Sequence, residues 1–193
     1  MMKIIEFGNP ILRKKAKRLQ VEGIKSSEIQ DLIAKLKETV RSGEYGVGLA
    51  APQIGISLAI SVIAIKPTPS RPEAKNFDAV IINPKIIKNI GDTVKKWEGC
   101  MSFGVGDPIF AQTDRYENIL ASYYDENAVL QEKMLSGLEA HVFQHELDHL
   151  NGVLFVDRVK DPNTWMNANE YKKRITKSVK SSDTISTDKT KEK

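Results

Sequence analysis

The run Gln144-His145-Glu146-Leu147-Asp148-His149 contains the pattern H-E-x-x-H, in which a glutamate directly follows the first of two histidines. On an α-helix four residues advance about 400°, so both imidazoles leave the same face, one turn apart. Such a pair can bind one divalent metal ion, with Glu146 facing a water molecule on that ion. The run therefore predicts a helix, a metal site and hydrolysis. The alternative is an exposed helix that carries two histidines by chance.

Two histidines leave a catalytic metal site incomplete, because such sites use three protein ligands and one open position. A third histidine at position 155 would continue a metalloprotease signature, but that residue is Phe155. Glu170 has no supporting sequence around it, and His141 lies a further helical turn away. Cys100, the only cysteine of the chain, is the remaining candidate. A lone cysteine is, however, more often a small buried apolar residue.

Length and composition indicate one globular protein. The chain has 193 residues, of which 40% are hydrophobic and 28% charged, and these are ordinary values for a soluble domain. We find no apolar stretch of membrane-spanning length and no apolar region of a signal peptide at the N-terminus. A single cysteine cannot form an intrachain disulfide, which fits a reducing compartment. We therefore expect a cytoplasmic protein.

The positive charge is concentrated at the C-terminal end. Residues 171–193 hold eight Lys or Arg and three Asp or Glu, whereas the whole chain has a net charge of only +4. From residue 180 onward almost nothing is apolar, so we expect one catalytic domain at 1–179 and a basic, disordered tail at 180–193. Such a tail either contacts an acidic surface such as RNA or only keeps the protein soluble.

Hydrophobic spacing predicts an α+β fold. Strands are expected in one block, with helices before and after it. The predicted helices are 28–41, 138–150 and 164–179, and the predicted strands are 56–65, 79–83, 85–90, 92–98, 118–124 and 128–135. The last two strands form a hairpin. A proline-rich loop is expected at 66–78.

Three segments of the chain resemble the peptide deformylase family in order and spacing. They are Gly46-Val47-Gly48-Leu49-Ala50-Ala51-Pro52-Gln53, Glu98-Gly99-Cys100-Met101-Ser102 and the H-E-x-x-H run. Asn9-Pro10-Ile11-Leu12-Arg13 and Arg115-Tyr116-Glu117-Asn118-Ile119 are also similar to the family. The resemblance covers residues 3–160, and three motifs together are far more specific than H-E-x-x-H alone.

The resemblance implies a metal-dependent hydrolase. It would remove the N-formyl group from the N-terminal formyl-methionine of newly synthesised polypeptides and release formate. The family's metal is usually Fe2+, although Zn2+, Ni2+ or Co2+ can occupy the site. The implied fold is α+β, with antiparallel β-sheets around a central helix that carries H-E-x-x-H, and with a C-terminal helix. The implied partners are N-formyl-methionyl peptides and a ribosome contacted through the basic C-terminal segment; neither a membrane nor DNA is expected.

The resemblance also assigns roles to matching residues. Cys100, His145 and His149 would bind the metal, and Glu146 would transfer protons. The side-chain amide of Gln53 and the backbone N–H of Met101 would stabilise the negative oxygen of the reaction intermediate. The residues expected to contact the substrate are Gly46, Val47, Gly48, Glu98, Leu138, His141 and Val142. Of these, the backbone of Gly48 would pair with the peptide like an added strand, and the apolar side chains would receive the methionine.

Some segments depart from the family. Met101 replaces a leucine, which conserves volume and leaves the backbone N–H unchanged. The stretch 103–114 differs more, and we expect it to be a loop that lines the substrate cleft, with the loop at 66–78 as another wall. We expect Asp148 to be an exposed helix carboxylate rather than a partner of a ligand histidine. Two rival functions remain: a metallopeptidase that cuts internal peptide bonds, and a catalytically altered ribosome-associated binding protein.

Overall fold

The computed structural model of the chain describes residues 2–42, 46–68, 71–104 and 106–174. The predicted tail at 180–193 and residues 175–179 of the predicted last helix lie outside the described residues, and the single domain at 1–179 stays a prediction. The described helices are α1 (Ser27–Ser42), α2 (Gly137–Leu150) and α3 (168–174), and the strands are β1 (Gly48–Ala50), β2 (Ile60–Ile65), β3 (Phe77–Gly99), β4 (Ile109–Tyr124), β5 (Leu130–Ser136) and β6 (Met166–Asn167). None of the described helices is long and apolar enough to cross a membrane.

The strands are hydrogen-bonded into an antiparallel sheet in the order β1-β2-β3-β4-β5, and β6 pairs with the start of β4. Sequential neighbours pair because short connections favour antiparallel partners. With helices before and after this sheet, the predicted α+β class is confirmed.

β3 is one long strand, so the prediction of three separate strands at 79–83, 85–90 and 92–98 was wrong. Its register with β4 shifts between Ile82 and Lys85, between Ile86 and Lys88 and between Ile90 and Thr93. Bulges of this kind bend a strand and interrupt its pairing without ending it. Pro84 and Gly91, which lie inside two of the shifts, are residues that suggest a break in sequence but are tolerated at bulges.

α1 confirms the helix predicted at 28–41. Its apolar residues recur at helical spacing and are buried against the first half of the sheet: Ile29, Leu32, Ile33, Leu36 and Val40. Burying each of these side chains contributes about 1.5–3 kcal/mol to folding.

α2 is the helix predicted at 138–150, and it is buried on almost every side. Nine of its residues are buried, among them His141, Gln144, Glu146, Asp148 and His149. Burial of so many polar groups is unfavourable unless each finds a partner, so the chemistry of the protein is expected along this helix. The helix ends where predicted, at Asn151 and Gly152. Gly152 has a positive φ of +74°, and a Cβ there would lie 2.6 Å from the carbonyl oxygen of Arg13.

The C-terminal segment differs from the predicted helix at 164–179. Residues Pro162–Thr164 form a 3-10 turn, because the Asp161 side chain accepts a hydrogen bond from the N–H of Asn163. β6 follows, and the helix begins only at residue 168. The predicted loop at 103–114 is also shorter than expected, since β4 starts at Ile109.

Candidate metal centre

Three side chains that the sequence singled out as ligands meet at one point. The Nε2 atom of His149 lies 3.2 Å from Cys100 Sγ and 3.2 Å from His145 Nε2. The ligand atoms of all three residues lie within 4.8 Å of one another. One thiolate and two imidazoles form a donor set that suits zinc or a neighbouring first-row divalent metal, and it leaves a position open.

The other positions considered as metal ligands do not belong to this group of three side chains. Phe155 is 1% exposed and packs edge-on against Phe103, with ring centroids 5.2 Å apart. It therefore belongs to the core, and the metallopeptidase signature has no third ligand there. Glu170 is exposed and bonds Lys173. His141 lies one turn before the ligand pair, with its Nε2 3.3 Å from Glu98 Oε2.

Cys100 is positioned by the end of β3. It follows Gly99 directly, and a Cβ at Gly99 would lie 2.7 Å from the Phe110 ring. A side chain at position 99 would therefore force the paired strands β3 and β4 apart, because ring and Cβ cannot approach so closely. Because position 99 is glycine, β3 lies close to Phe110, and the Cys100 thiol contacts the face of α2 that carries the histidines.

His145 is oriented by Glu98. Its Nδ1–H donates to Glu98 Oε1 at 2.6 Å, which turns the lone pair of Nε2 toward the other two ligands. Burial by itself lowers the pKa of His145, but Glu98 and Cys100 together raise it well above its ordinary value. Burial and the nearby charge of His145 lower the pKa of His149 well below its ordinary value, which favours the neutral, metal-binding ring.

Glu98 belongs to a buried network of charges. Its carboxylate accepts from Arg115 Nη2 at 2.6 Å, from Arg115 Nε at 3.0 Å and from Thr113 Oγ1 at 2.5 Å. Arg115 also pairs with Asp148, which in turn pairs with Arg158. Although burial raises the pKa of Glu98, His145, His141 and Arg115 hold it well below its ordinary value.

Two sequence expectations change as a result. Glu98, expected to contact substrate, lines the cavity described below but commits both carboxylate oxygens to other side chains of the protein. Asp148 was expected to be exposed and is only 7% exposed, so that expectation was wrong. It supports the ligand histidine indirectly, through Arg115 and Glu98. The Arg115-Tyr116 motif was the sequence signal for this network, but its partners are far apart in the chain.

Glu146 is buried against the backbone of β1. It is 1% exposed, and burial raises its pKa to about 7. A Cβ at Gly48 would lie 2.2 Å from Glu146 Oε1. The glycine of this motif is therefore needed to seat the carboxylate, a reason that the sequence alone did not reveal. A carboxyl group whose pKa is close to neutral can both accept and donate a proton.

Gln53 directs a donor at the same centre. Its Oε1 accepts the backbone N–H of Ala50 at 2.8 Å, which fixes the orientation of the amide. The Nε2 group then faces Cys100 Sγ at 3.5 Å and Ser102 Oγ at 3.2 Å. Met101 follows Cys100 in a turn, and its N–H donates to no other described residue. Both predicted donors therefore lie beside the centre: the Gln53 amide faces the Cys100 thiol, and the Met101 N–H belongs to the next residue of the chain.

Comparison with known proteins identifies the chain. The family model described as polypeptide deformylase matches residues 1–165. The chain belongs to the polypeptide deformylase family. It is thus an enzyme of the hydrolase class with a site suited to a metal.

Several deformylases are similar along most of their length. Peptide deformylase 2 of Nostoc sp. is 39% identical, over 93% of this chain and 98% of the relative. The class I type b peptide deformylase from Acinetobacter baumannii, solved with Met-Ala-Ser, has a TM-score of 0.76 and 30% identity, over 82% of this chain and 98% of that one. A peptide deformylase from Synechococcus elongatus in complex with actinonin has a TM-score of 0.72 and 36% identity, over 84% of this chain and 81% of that one.

The candidate metal centre of this deformylase opens into a cavity of about 410 Å³. The predicted substrate residues all line it: Gly46, Val47, Gly48, Glu98, Leu138, His141 and Val142. Gly104, Gly106, Pro108 and Phe110 line it as well, which places the divergent stretch 103–114 at the cleft as expected.

Four of the wall residues that sequence reasoning did not single out are charged or aromatic. They are Arg71, Trp97, Phe110 and Tyr171. Arg71 lies in the proline-rich loop and Phe110 in the stretch 103–114, both of which were expected to line the cleft, but neither motif nor spacing marked Trp97 and Tyr171. Tyr171 stacks on Phe110, with ring centroids 4.0 Å apart and an interplanar angle of 8°. This contact brings α3 to the cavity, and only the folded chain reveals it.

Proposed function

We propose that this deformylase hydrolyses the N-formyl group of formyl-methionyl peptides and releases formate. The observation that carries the proposal is that Cys100, His145 and His149 meet at one point, and that Cys100 and His145 share one cavity wall with Glu146 and Gln53. This combination provides three metal ligands, a proton-transfer group and an oxyanion donor, which are the groups that amide hydrolysis needs. No described residue completes the ligand set of the rival metallopeptidase signature.

The ligand residues fit a resident divalent metal. Cys100, His145 and His149 would hold it, and Fe2+ is the ion we propose, with Zn2+, Ni2+ or Co2+ able to take its place. When bound, such an ion supplies Lewis acidity, polarising the formyl oxygen and lowering the pKa of water toward neutrality.

Glu146 moves the protons. Its carboxylate takes one proton from the attacking water as the new C–O bond forms at the formyl carbon. It then donates a proton to the peptide nitrogen as the C–N bond breaks, so that formate and a free amine are the products. The burial that raises the pKa of Glu146 to about 7 suits both halves of this transfer.

Gln53 and Met101 stabilise the negative charge that develops on the formyl oxygen. The Gln53 amide is already oriented by Ala50, so its reorganisation during the reaction is small. The Met101 N–H adds a second donor. Loss of one such donor typically costs about 2.7–4 kcal/mol of transition-state stabilisation.

The cavity walls position the peptide. Val47, Leu138 and Val142 provide an apolar surface for the methionine side chain, and His141 lines the same cavity. The backbone of Gly48 pairs with the peptide as an added strand would. A Cβ at Gly46 would lie 3.0 Å from Met101 Sδ, so this segment also depends on the absence of a side chain.

Formate release tests the proposal. The protein, purified without air and loaded with Fe2+, is given a formyl-methionyl tripeptide, the same peptide without the formyl group, or an unformylated protein. We expect chelator-sensitive formate release from the first alone. Cleavage of the unformylated protein would favour the peptidase, and a folded, metal-loaded protein without any turnover would favour the binding protein.

We also propose a cytoplasmic location and a ribosome contact through the basic C-terminal segment. The charge of this segment supports the ribosome contact, since residues 171–193 hold eight cationic side chains. Most of these side chains lie outside the described residues. Truncation after Val179 should leave tripeptide turnover intact and weaken sedimentation with ribosomes in a salt-dependent way. Unchanged sedimentation would leave the tail as a solubilising arm.

A further inference from the structure

Arg71 is held at the cavity by its backbone. Its N–H donates to Thr68 O at 2.8 Å, and its carbonyl oxygen accepts from Thr68 N–H at 3.3 Å and from Ala74 N–H at 3.2 Å. Ala74 in turn packs against the core cluster of β2, β4 and α2. These contacts anchor the residue although it lies in a proline-rich loop, and its side chain lines the cavity.

The charge of Arg71 is not neutralised within the described part of the chain. Its Nε is buried and has no hydrogen-bond partner there, and no described carboxylate lies within ion-pair distance of the guanidinium. Burial lowers the pKa of Arg71, and Tyr171 offsets this in part. A partly desolvated cation without an anionic partner is energetically unfavourable. Charged groups in this state are found at sites where a ligand supplies the opposite charge.

The surroundings of Arg71 strengthen any pairing with an anion. Trp97 and Tyr171 line the same cavity, and their ring centroids lie 6.0 Å apart. Aromatic walls reduce the access of water and so lower the local dielectric screening. Among the described residues that line the cavity, Arg71 is the only lysine or arginine.

The remaining charges of the cavity limit where an anion can bind. Glu146 carries the proton-transfer carboxylate, and the negative charge of Glu98 is already paired with Arg115. An acidic group on the substrate would be repelled at Glu146 and attracted at Arg71. The guanidinium offers planar, bidentate recognition, the geometry that a carboxylate matches best.

We propose that Arg71 binds a carboxylate of the peptide substrate and gives this deformylase a preference for acidic peptides. This inference rests on the proposed function. The carboxylate has two possible sources: an Asp or Glu side chain at the second or third residue, or the free C-terminus of a short peptide. The first would make Arg71 a specificity determinant for protein substrates, and the second for short peptides only.

Matched peptides distinguish the sources. The metal-loaded enzyme is assayed with formyl-methionyl tripeptide amides that carry Glu or Gln at position two, or Glu or Gln at position three, and with a neutral tripeptide as acid or amide. In one of these pairs we expect kcat/KM to favour the carboxylate by about tenfold, equivalent to about 1.4 kcal/mol. The ratio of the two kcat/KM values, carboxylate over neutral peptide, should fall as ionic strength rises from about 0.05 to about 0.5 M.

Three variants assign the preference to Arg71. Arg71→Gln should reduce the ratio to about one, and Arg71→Lys should retain part of it, because a lysine keeps the charge but not the bidentate fork. Lys75→Gln removes an exposed charge of the same loop and should leave the ratio unchanged. A ratio within about twofold of one for every wild-type pair, or a preference that persists in Arg71→Gln, would overturn the inference. Absence of turnover with all formylated peptides would instead refute the proposed function.

Discussion

The two sides of the cavity are built differently. On the metal side, Glu98, Arg115 and Asp148 are buried and joined by charge-assisted hydrogen bonds, and Glu98 accepts a hydrogen bond from the ligand His145. On the other wall, Arg71 and Tyr171 come from a loop and a terminal helix, and both are only half-buried. The metal side therefore has little freedom to change, whereas the other wall can vary residue by residue. We infer that reaction chemistry depends on the first region and substrate choice on the second.

Glu146→Gln should have the largest effect and place proton transfer firmly on the metal side. The amide keeps the shape of the side chain but cannot act as a base, so turnover should fall by about 10³-fold or more. Metal content by elemental analysis and the melting temperature should stay near wild type. Formate release within about tenfold of wild type would remove Glu146 as the proton-transfer group.

Arg115→Met should destabilise the metal side by breaking its charge network. Glu98 and Asp148 would lose a buried partner, which costs about 3–5 kcal/mol in the free energy of unfolding measured in urea. Arg41→Met is the control, because Arg41 pairs with Asp78 at the surface, with side chains 55% and 50% exposed. It should change stability by no more than about 1 kcal/mol. Equal effects of the two variants would contradict the distinction between the regions.

Gly48→Ala should impair catalysis because the added methyl group overlaps with the Glu146 carboxylate. We expect kcat to fall by about 10²-fold, equivalent to about 2.7 kcal/mol, with the metal retained. Gly23→Ala provides the control, since a Cβ at Gly23 would have no heavy atom within 4 Å. If kcat of Gly48→Ala stays within about threefold of wild type, the glycine does not position the base.

Tyr171→Ala should have the smallest effect and show the tolerance of the other wall. The variant loses the stack on Phe110, which is worth about 0.5–1.5 kcal/mol. We expect KM for a formyl-methionyl tripeptide to rise about fivefold with kcat and metal content little changed, and Tyr171→Phe to behave nearly as wild type. A large fall in kcat would show that α3 contributes to the chemistry as well.

Sequence reasoning went furthest where the chemistry is local. Helical spacing in the H-E-x-x-H run puts His145 and His149 on one face whatever surrounds them, and the apolar repeat predicted α1 equally well. Sequence reasoning failed where hydrogen bonds between strands or within turns decide the structure. The bulges that join three predicted strands into β3, and the turn at Asp161 that delays α3, depend on hydrogen bonds that spacing does not encode.

The sequence by itself determined the α+β class, the family and a set of chemically suitable residues, because residue type and helical periodicity are local properties. Only the tertiary structure decided how they are supported: Glu98 is committed to His145 and Arg115, Asp148 is buried, and Gly48 makes room for Glu146. It alone brought Arg71 and Tyr171 to the same cavity. The physical reason is that burial and desolvation depend on contacts between residues far apart in the chain, which no local pattern specifies.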